Sequence, residues 1–348
     1  MLKTSYLKNI SLALFGTVVI LLILNTFITK YVEKDDQPKN RESISGIKVD
    51  SLFKTALGNY GFSNNWIVKK KLKNVSGDSL YVTYSVSVPK DIPIHLILLE
   101  LKKIFWDYEV EIDAEEIDNS KKTKIKLSSD NKLKLAAELF YDKNIKREFG
   151  TIAFLIKDLP LDTEEGLTSF LSTPELFYAV IIPKDLSKKR LPGISKSGKR
   201  YALLLDDNIE ELNYKLSASY SDDKIKKSIK EIVGTFHNSA FFIIDDKSDI
   251  VKSKKYPLIK SELDKRGIIV VHSSELEIFP TSKVNPEDNF QEFIKTLNKK
   301  DEKVLLISAN DFSTILGVIP SYRKVGYKII YPGNLMLKSK ALQQSLFK

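Results

Sequence analysis

The chain has 348 residues, 43% of them hydrophobic and 29% charged, and its 55 Lys and Arg outweigh 45 Asp and Glu for a net charge of +10. That length suits about two domains beside a short extra segment, and the near-average composition excludes both wholesale disorder and a polytopic membrane protein. No cysteine is present, which excludes disulfides, thiolate metal sites, a cysteine nucleophile and an N-terminal lipidated cysteine. The lysine runs at 69–71 and 252–255 read as solvated surface, and no nucleic-acid partner is expected.

Residues 10–28, ISLALFGTVVILLILNTFI, carry no charge. At 1.5 Å per residue they cover roughly 28 Å as a helix, close to the hydrocarbon thickness of a bilayer. No small-residue cleavage site follows, so residues 1–30 are expected to form an uncleaved single-pass anchor that contacts the membrane through 10–28. Residues 31–48 mix charge with Pro38, Ser43, Ser45 and Gly46 and lack an apolar period, which predicts a juxtamembrane linker.

A first domain is expected over 49–146. Val49, Leu52, Phe53, Ala56 and Leu57 recur at helical spacing, and Gly58 and Gly61 close that helix. Alternating runs at 66–72 and 79–88 predict strands, 94–105 a second helix, and 108–112, 124–127 and 133–141 three more strands, together a small α/β sandwich. His95, beside Leu96 and Ile97, is expected to pack rather than to ligate.

From Gly150 onward the pattern changes to strand, helix, strand, helix. Nearly pure apolar runs at 152–156, 177–182, 201–205, 240–244, 268–271, 304–307 and 328–331 predict parallel strands buried on both faces. Asp222 to Phe236 supplies an amphipathic helix, with Ile225, Ile229, Ile232 and Val233 on one stripe. Ligand chemistry in such folds gathers at strand C-termini, where polar residues recur here. Asp158, Asp245 and His272 are the candidate catalytic or metal-ligating residues, and Lys157, Asp206, Asp207, Asp246, Asn310 and Asp311 are candidates for a binding rim. Acidic residues after strands also cap helices and solvate turns, which is the simpler reading of each one taken alone.

Laid end to end, residues 149–332 resemble the divergent polysaccharide deacetylase family, seven-stranded relatives of the metal-dependent carbohydrate deacetylases. GTIAFLIKDLP at 150–160 is similar to the opening strand that ends in Ile-Asp-Asp-Leu-Gly, and FYAVIIP at 177–183 to the next strand. LDKRGIIVVHS at 263–273 looks like the run ending in Asp-Ser. With the transmembrane helix and small α/β sandwich read above, the resemblance completes an α/β fold, implying a seven-stranded β/α barrel over 149–338 followed by a tail at 339–348. It further implies a metal held by one Asp and two His.

The family's ligands are missing where they should fall. Lys157 replaces one Asp of the opening pair beside Asp158. The first histidine falls at Leu204, the second near Asp245, the later Asp on His272, and the Gly-His on Ser308 and Ala309. The expectation is a degenerate, non-catalytic member of the cell envelope that binds a glycan or an envelope protein. No cofactor is expected. An active deacetylase is the alternative, and it would need Asp158, Asp245 and His272 to share Zn²⁺, Mn²⁺ or Mg²⁺. A cytoplasm-facing scaffold whose basic surface meets anionic lipid or nucleic acid is a third, weaker reading. Lys3 and Lys8 precede the apolar run while Lys30, Lys34, Lys39 and Arg41 follow it, a count that disfavours an external bulk. The resemblance instead implies a bacterial inner-membrane protein with its bulk outside the cytoplasm.

Overall fold

The computed structural model describes residues 14–18, 21, 41–71, 82–117, 122–280 and 285–337. Most of the expected anchor at 10–28, the linker at 31–40 and the tail at 339–348 lie outside the described residues. Residues 14–18 and 21 are helical. Among the described residues no helix is long and apolar enough to cross a membrane.

Two compact units are present. The first holds the described residues up to Leu57 together with Ser63–Ile145, and the second holds Gly58–Phe62 and the described residues from Lys146 onward.

In the first unit, helix α1 (Gly46–Gly58) begins inside the expected linker, because the Ser45 carbonyl and hydroxyl accept the N–H groups of Val49 and Lys48. Strands β1 (Ile67–Lys71) and β2 (Val82–Pro89) follow, then helix α2 (Ile94–Ile104) and strands β3 (Glu111–Ile117), β4 (Lys122–Ser129) and β5 (Lys132–Asp142). They form a five-stranded sheet in the order β1-β2-β5-β4-β3, antiparallel except for the β2–β5 pair. Burial along β2 alternates, as it must when one face is packed and the other is not. Phe53 of α1 stacks on Tyr84 of β2 at 5.4 Å, and Ile97 and Leu101 of α2 are fully buried. Beside that stack, the nearly buried Asp50 carboxylate meets the Lys69 ammonium at 2.8 Å and the Tyr84 hydroxyl. Burial pushes its pKa up, and the bonds from Lys69 and Tyr84 outweigh that and hold it below the usual value.

Strand β3 lies later than the expected 108–112. Tyr108 instead makes an isolated bridge to Glu42, and the strand itself reads Glu-Ile-Asp-Ala-Glu-Glu-Ile, an edge too charged to show an apolar alternation. His95 is also not packed as expected; it is exposed on α2.

The second unit carries β6 (Thr151–Lys157), β7 (Phe177–Ile181), β8 (Arg200–Leu205), β9 (Phe242–Ile244), β10 (Val270–His272), β11 (Glu277–Ile278), β12 (Glu302–Ser308) and β13 (Lys328–Ile330). All pair in parallel, in the order β10-β9-β8-β7-β6-β12-β11. Around β6 this is the chain order taken as a ring, interrupted only between β10 and β11. Those two strands are joined by four residues, 273–276, which reach at most roughly 18 Å. The segment from Val270 to Ile278 therefore behaves as one bent strand whose first half pairs with β9 and whose second half pairs with β12. Counted that way there are seven strands, with β13 paired to the first half of β6.

Helix placement distinguishes a barrel from a doubly wound sheet, which has helices on both faces. Here Leu167, Ile194, Ile229, Ile259, Ile294 and Phe312, from six different helices, all join one cluster with Ile152, Phe154 and Ile156. The opposite face, with Ala153, Leu155, Val180, Ala202, Ile243, Val271 and Leu306, packs among the described residues against its own side chains and against Leu335 and Met336 of the helical stretch 332–337. Six helices on one face, with strands in ring order, are the winding of a β/α barrel. The 332–337 stretch comes close to Tyr178 of β7 on this face. A Cβ at Gly333 would lie 2.5 Å from the Tyr178 hydroxyl oxygen.

Candidate functional site

Side chains alternate along a strand, so the inner positions continue to the strand ends. Ala153 and Leu155 lead to Lys157, Leu204 to Asp206, Ile243 to Asp245, Val271 to Ser273, and Leu306 to Ser308. The barrel mouth is built from these positions and the residues just after them, and it divides into two sides.

At the ends of β6, β7 and β8 lies an open cleft of about 350 Å³. Val180, Ile182 and Leu204 give it an apolar floor, and Lys157, Asp158, Lys184, Asp206 and Asn208 surround that floor with polar groups. Lys157 and Asp158 meet at 3.6 Å, with the Asp158 side chain 66% exposed. Asp158 sits at φ 56°, in the left-handed region that Asp tolerates better than most residues. Asp206 is partly committed to a turn, its two carboxylate oxygens accepting the Asn208 backbone and side-chain N–H groups at 2.9 and 3.0 Å.

At the ends of β9 and β10 the polar groups bond to one another. Asp246 Oδ1 meets His272 Nδ1 at 2.5 Å, and Asp246 Oδ2 accepts the Ser274 N–H at 2.8 Å and the Ser273 hydroxyl at 3.2 Å. His272 Nε2 lies 2.9 Å from the Tyr256 hydroxyl, and the His272 backbone N–H donates to Glu275 Oε1 at 2.8 Å. Asp245 Oδ1 accepts the Lys247 N–H at 3.0 Å and is also within 3.2 Å of the Ser273 hydroxyl. Burial pushes the Asp246 carboxyl up, but the bonds from Ser274 and His272 outweigh it and bring its pKa down to about 2. Burial, then the charges of Asp246, Asp264 and Glu275, raise the Tyr256 phenol. This network ties the end of β9 to the bend between β10 and β11, the place where the ring of strands is completed by the chain itself.

The remaining candidates also have local partners. Asp207 Oδ2 accepts the Asp249 N–H at 2.9 Å, at the start of the helix Asp249–Lys252, beside the Ser248 cap. Asp311 Oδ2 accepts the Ser308 hydroxyl at 2.7 Å, and Ser308 caps the helix Ala309–Ile315. Asn310 is exposed on that helix. Of the expected rim and ligand residues, the cleft thus gathers Lys157, Asp158 and Asp206. Asp245, Asp246 and His272 gather in the second network, while Asp207, Asn310 and Asp311 belong to helix starts.

The arrangement of Asp158, Asp245 and His272 around one ion is not formed. Among the described residues no three His, Asp or Glu side chains converge as metal ligands would. Asp158 faces an ammonium group, and His272 has both ring nitrogens engaged. Lys184 and Ser273 are legible in the sequence as polar residues directly after strand runs, though they are not among the site candidates. Tyr256 was missed, and nothing in the sequence around it signals its bond to His272.

No family model matches the chain, and no curated protein matches it either. Solved carbohydrate esterases of family 4 are among the structures similar to it. BA3943 of Bacillus anthracis, a CE4 family pseudoenzyme, matches with 10% identity and a TM-score of 0.37, over 64% of this chain and 88% of that one. PdaA of Bacillus subtilis, a family 4 carbohydrate esterase, matches with 14% identity and a TM-score of 0.32, over 57% and 85%. The uncharacterized ATU2773 of Agrobacterium tumefaciens matches with 10% identity and a TM-score of 0.37, over 56% and 92%. Values this low assign no function, and the barrel is argued above from its own strand order and helix placement.

Proposed function

We propose that the second unit is a deacetylase-like barrel whose mouth binds a saccharide without hydrolysing it, on a protein tethered to the bacterial envelope membrane by residues 10–28. One observation carries the non-catalytic part. At the end of β6, Lys157 stands at the inner position and pairs with Asp158, so a cation of the protein's own occupies the neighbourhood in which a hydrolase of this kind would need a metal. The carboxylates and the imidazole farther round the mouth support the same reading, because each is already engaged in a cap, a turn or the network around Asp246.

Support for a saccharide comes from the form of the cleft. Its volume falls in the range of small-ligand sites, and a polar rim over an apolar floor matches a sugar's hydroxyl edge and C–H face. The test is calorimetric titration of the full chain, in detergent, with acetylated and deacetylated cell-wall oligosaccharides, alongside an assay for released acetate. Binding that weakens in Lys157→Ala and Asp206→Ala, with no acetate released, is the expected outcome. Acetate release by the unmodified protein that is lost in Asp158→Ala would replace this reading with a hydrolase.

A further inference from the structure

The first unit offers a separate site, which does not depend on how the barrel mouth is read. Strand β3 ends the five-stranded sheet, so alternate backbone N–H and C=O groups along it face away from β4. All of Glu111–Ile117 is exposed except Ile112, which is half-buried. Beside it α2 stops short of covering the sheet, and a groove of about 410 Å³ runs between helix and strand. Ile94, Leu98, Ala114 and Tyr141 give the groove its apolar lining, with His95, Glu116 and Thr123 at its sides. Tyr141 is held there by its hydroxyl, which accepts the Ile94 N–H at 3.1 Å.

The two faces of β3 differ in chemistry. Ile112, Ala114 and Glu116 stand opposite Leu127, Ile125 and Thr123 of β4, on the helix side of the sheet. Asp113 and Glu115 stand opposite Lys126 and Lys124 on the other side, where Asp113 meets Lys126 at 3.4 Å in an exposed pair that contributes little. A strand added to this edge would place every second side chain in the groove and the intervening ones directly beside Asp113 and Glu115.

We infer that the edge of β3 and the α2 groove form a docking site for an extended basic peptide of a partner protein, one that alternates apolar residues with Lys or Arg and adds as a sixth strand. The backbone of β3 supplies the hydrogen bonds, the groove takes the apolar side chains, and the carboxylates of Asp113 and Glu115 take the cations. Acidic residues on an edge keep other strands from pairing at random, and they select by charge the strand that does pair.

The experiment titrates the full chain, in detergent micelles, into a fluorescently labelled peptide of about eight residues with alternating Lys and Val, a length matched to an ordinary strand. Saturable binding is expected, with none for the corresponding Glu-Val peptide. The double variant Asp113→Lys with Glu115→Lys should weaken binding roughly tenfold, since like charges replace opposite ones at directly paired positions. Successive amides of a strand face opposite edges, so of two peptides N-methylated at the lysines or at the valines, one should lose binding and the other keep it. Failure of the Lys-Val peptide to bind, equal binding of the Glu-Val peptide, an unchanged affinity in the double variant, or equal behaviour of the two N-methylated peptides would each overturn the assignment.

Discussion

The two sides of the barrel mouth hold the same kinds of residue and use them differently. At β6 to β8, Lys157, Asp158 and Lys184 stand around an open cleft with few fixed partners. At β9 and β10, Asp245, Asp246, His272 and Ser273 bond to one another and to the backbone, and they fasten the bend that completes the ring of strands. A carboxylate at a strand end is thus a ligand group or a fastening according to what its lone pairs already hold. Position alone does not decide between the two.

The contrast is broken most severely at Asp246. Asp246→Ala leaves His272 Nδ1 and the Ser274 N–H without their acceptor, and should destabilise the second unit by about 2–3 kcal/mol in denaturant unfolding. Acid sharpens the same point. Asp246 has a pKa of about 2 in the folded chain against an ordinary 3.8, so its contribution is complete above about pH 4 and is lost as pH falls toward 2. An Asp246→Asn variant should flatten the loss of stability over that window, as read from unfolding midpoints at stepped pH.

Smaller effects follow elsewhere round the mouth. Asp207→Ala removes an acceptor at the start of the helix Asp249–Lys252 and should cost about 1 kcal/mol by the same unfolding measurement. Asp158→Asn, which keeps a residue suited to the left-handed backbone at φ 56°, should change stability by no more than about 0.5 kcal/mol, because the side chain is largely in water and its ion pair with Lys157 is long. A large loss of stability at Asp158 with none at Asp246 would invert the comparison.

Much of the barrel was legible in the sequence. Runs such as 152–156 and 201–205 are apolar at every position because both faces are buried, one against helices and one inside the ring. The split between β10 and β11 was not legible, since Glu277–Ile278 is a two-residue strand with exposed side chains and carries no apolar signal. Strand β3 was misplaced for a related reason: an exposed edge selects charge rather than alternation. The mouth residues were found because strand ends can be read from the runs that precede them. Their division into cleft and fastening depends on hydrogen bonds between loops distant in sequence, such as Asp246 with Ser274 and Asp207 with Asp249, and a single sequence does not record those.

The central claim is that Lys157, together with the partners already held by Asp245, Asp246 and His272, leaves the mouth without a metal centre. Its most direct test is elemental analysis of the full chain purified without chelator, before and after incubation with Zn²⁺, Mn²⁺ or Mg²⁺, beside the Asp158→Ala variant. The account predicts metal well below stoichiometric, and the same in both proteins. Near-stoichiometric metal that disappears in Asp158→Ala would contradict it.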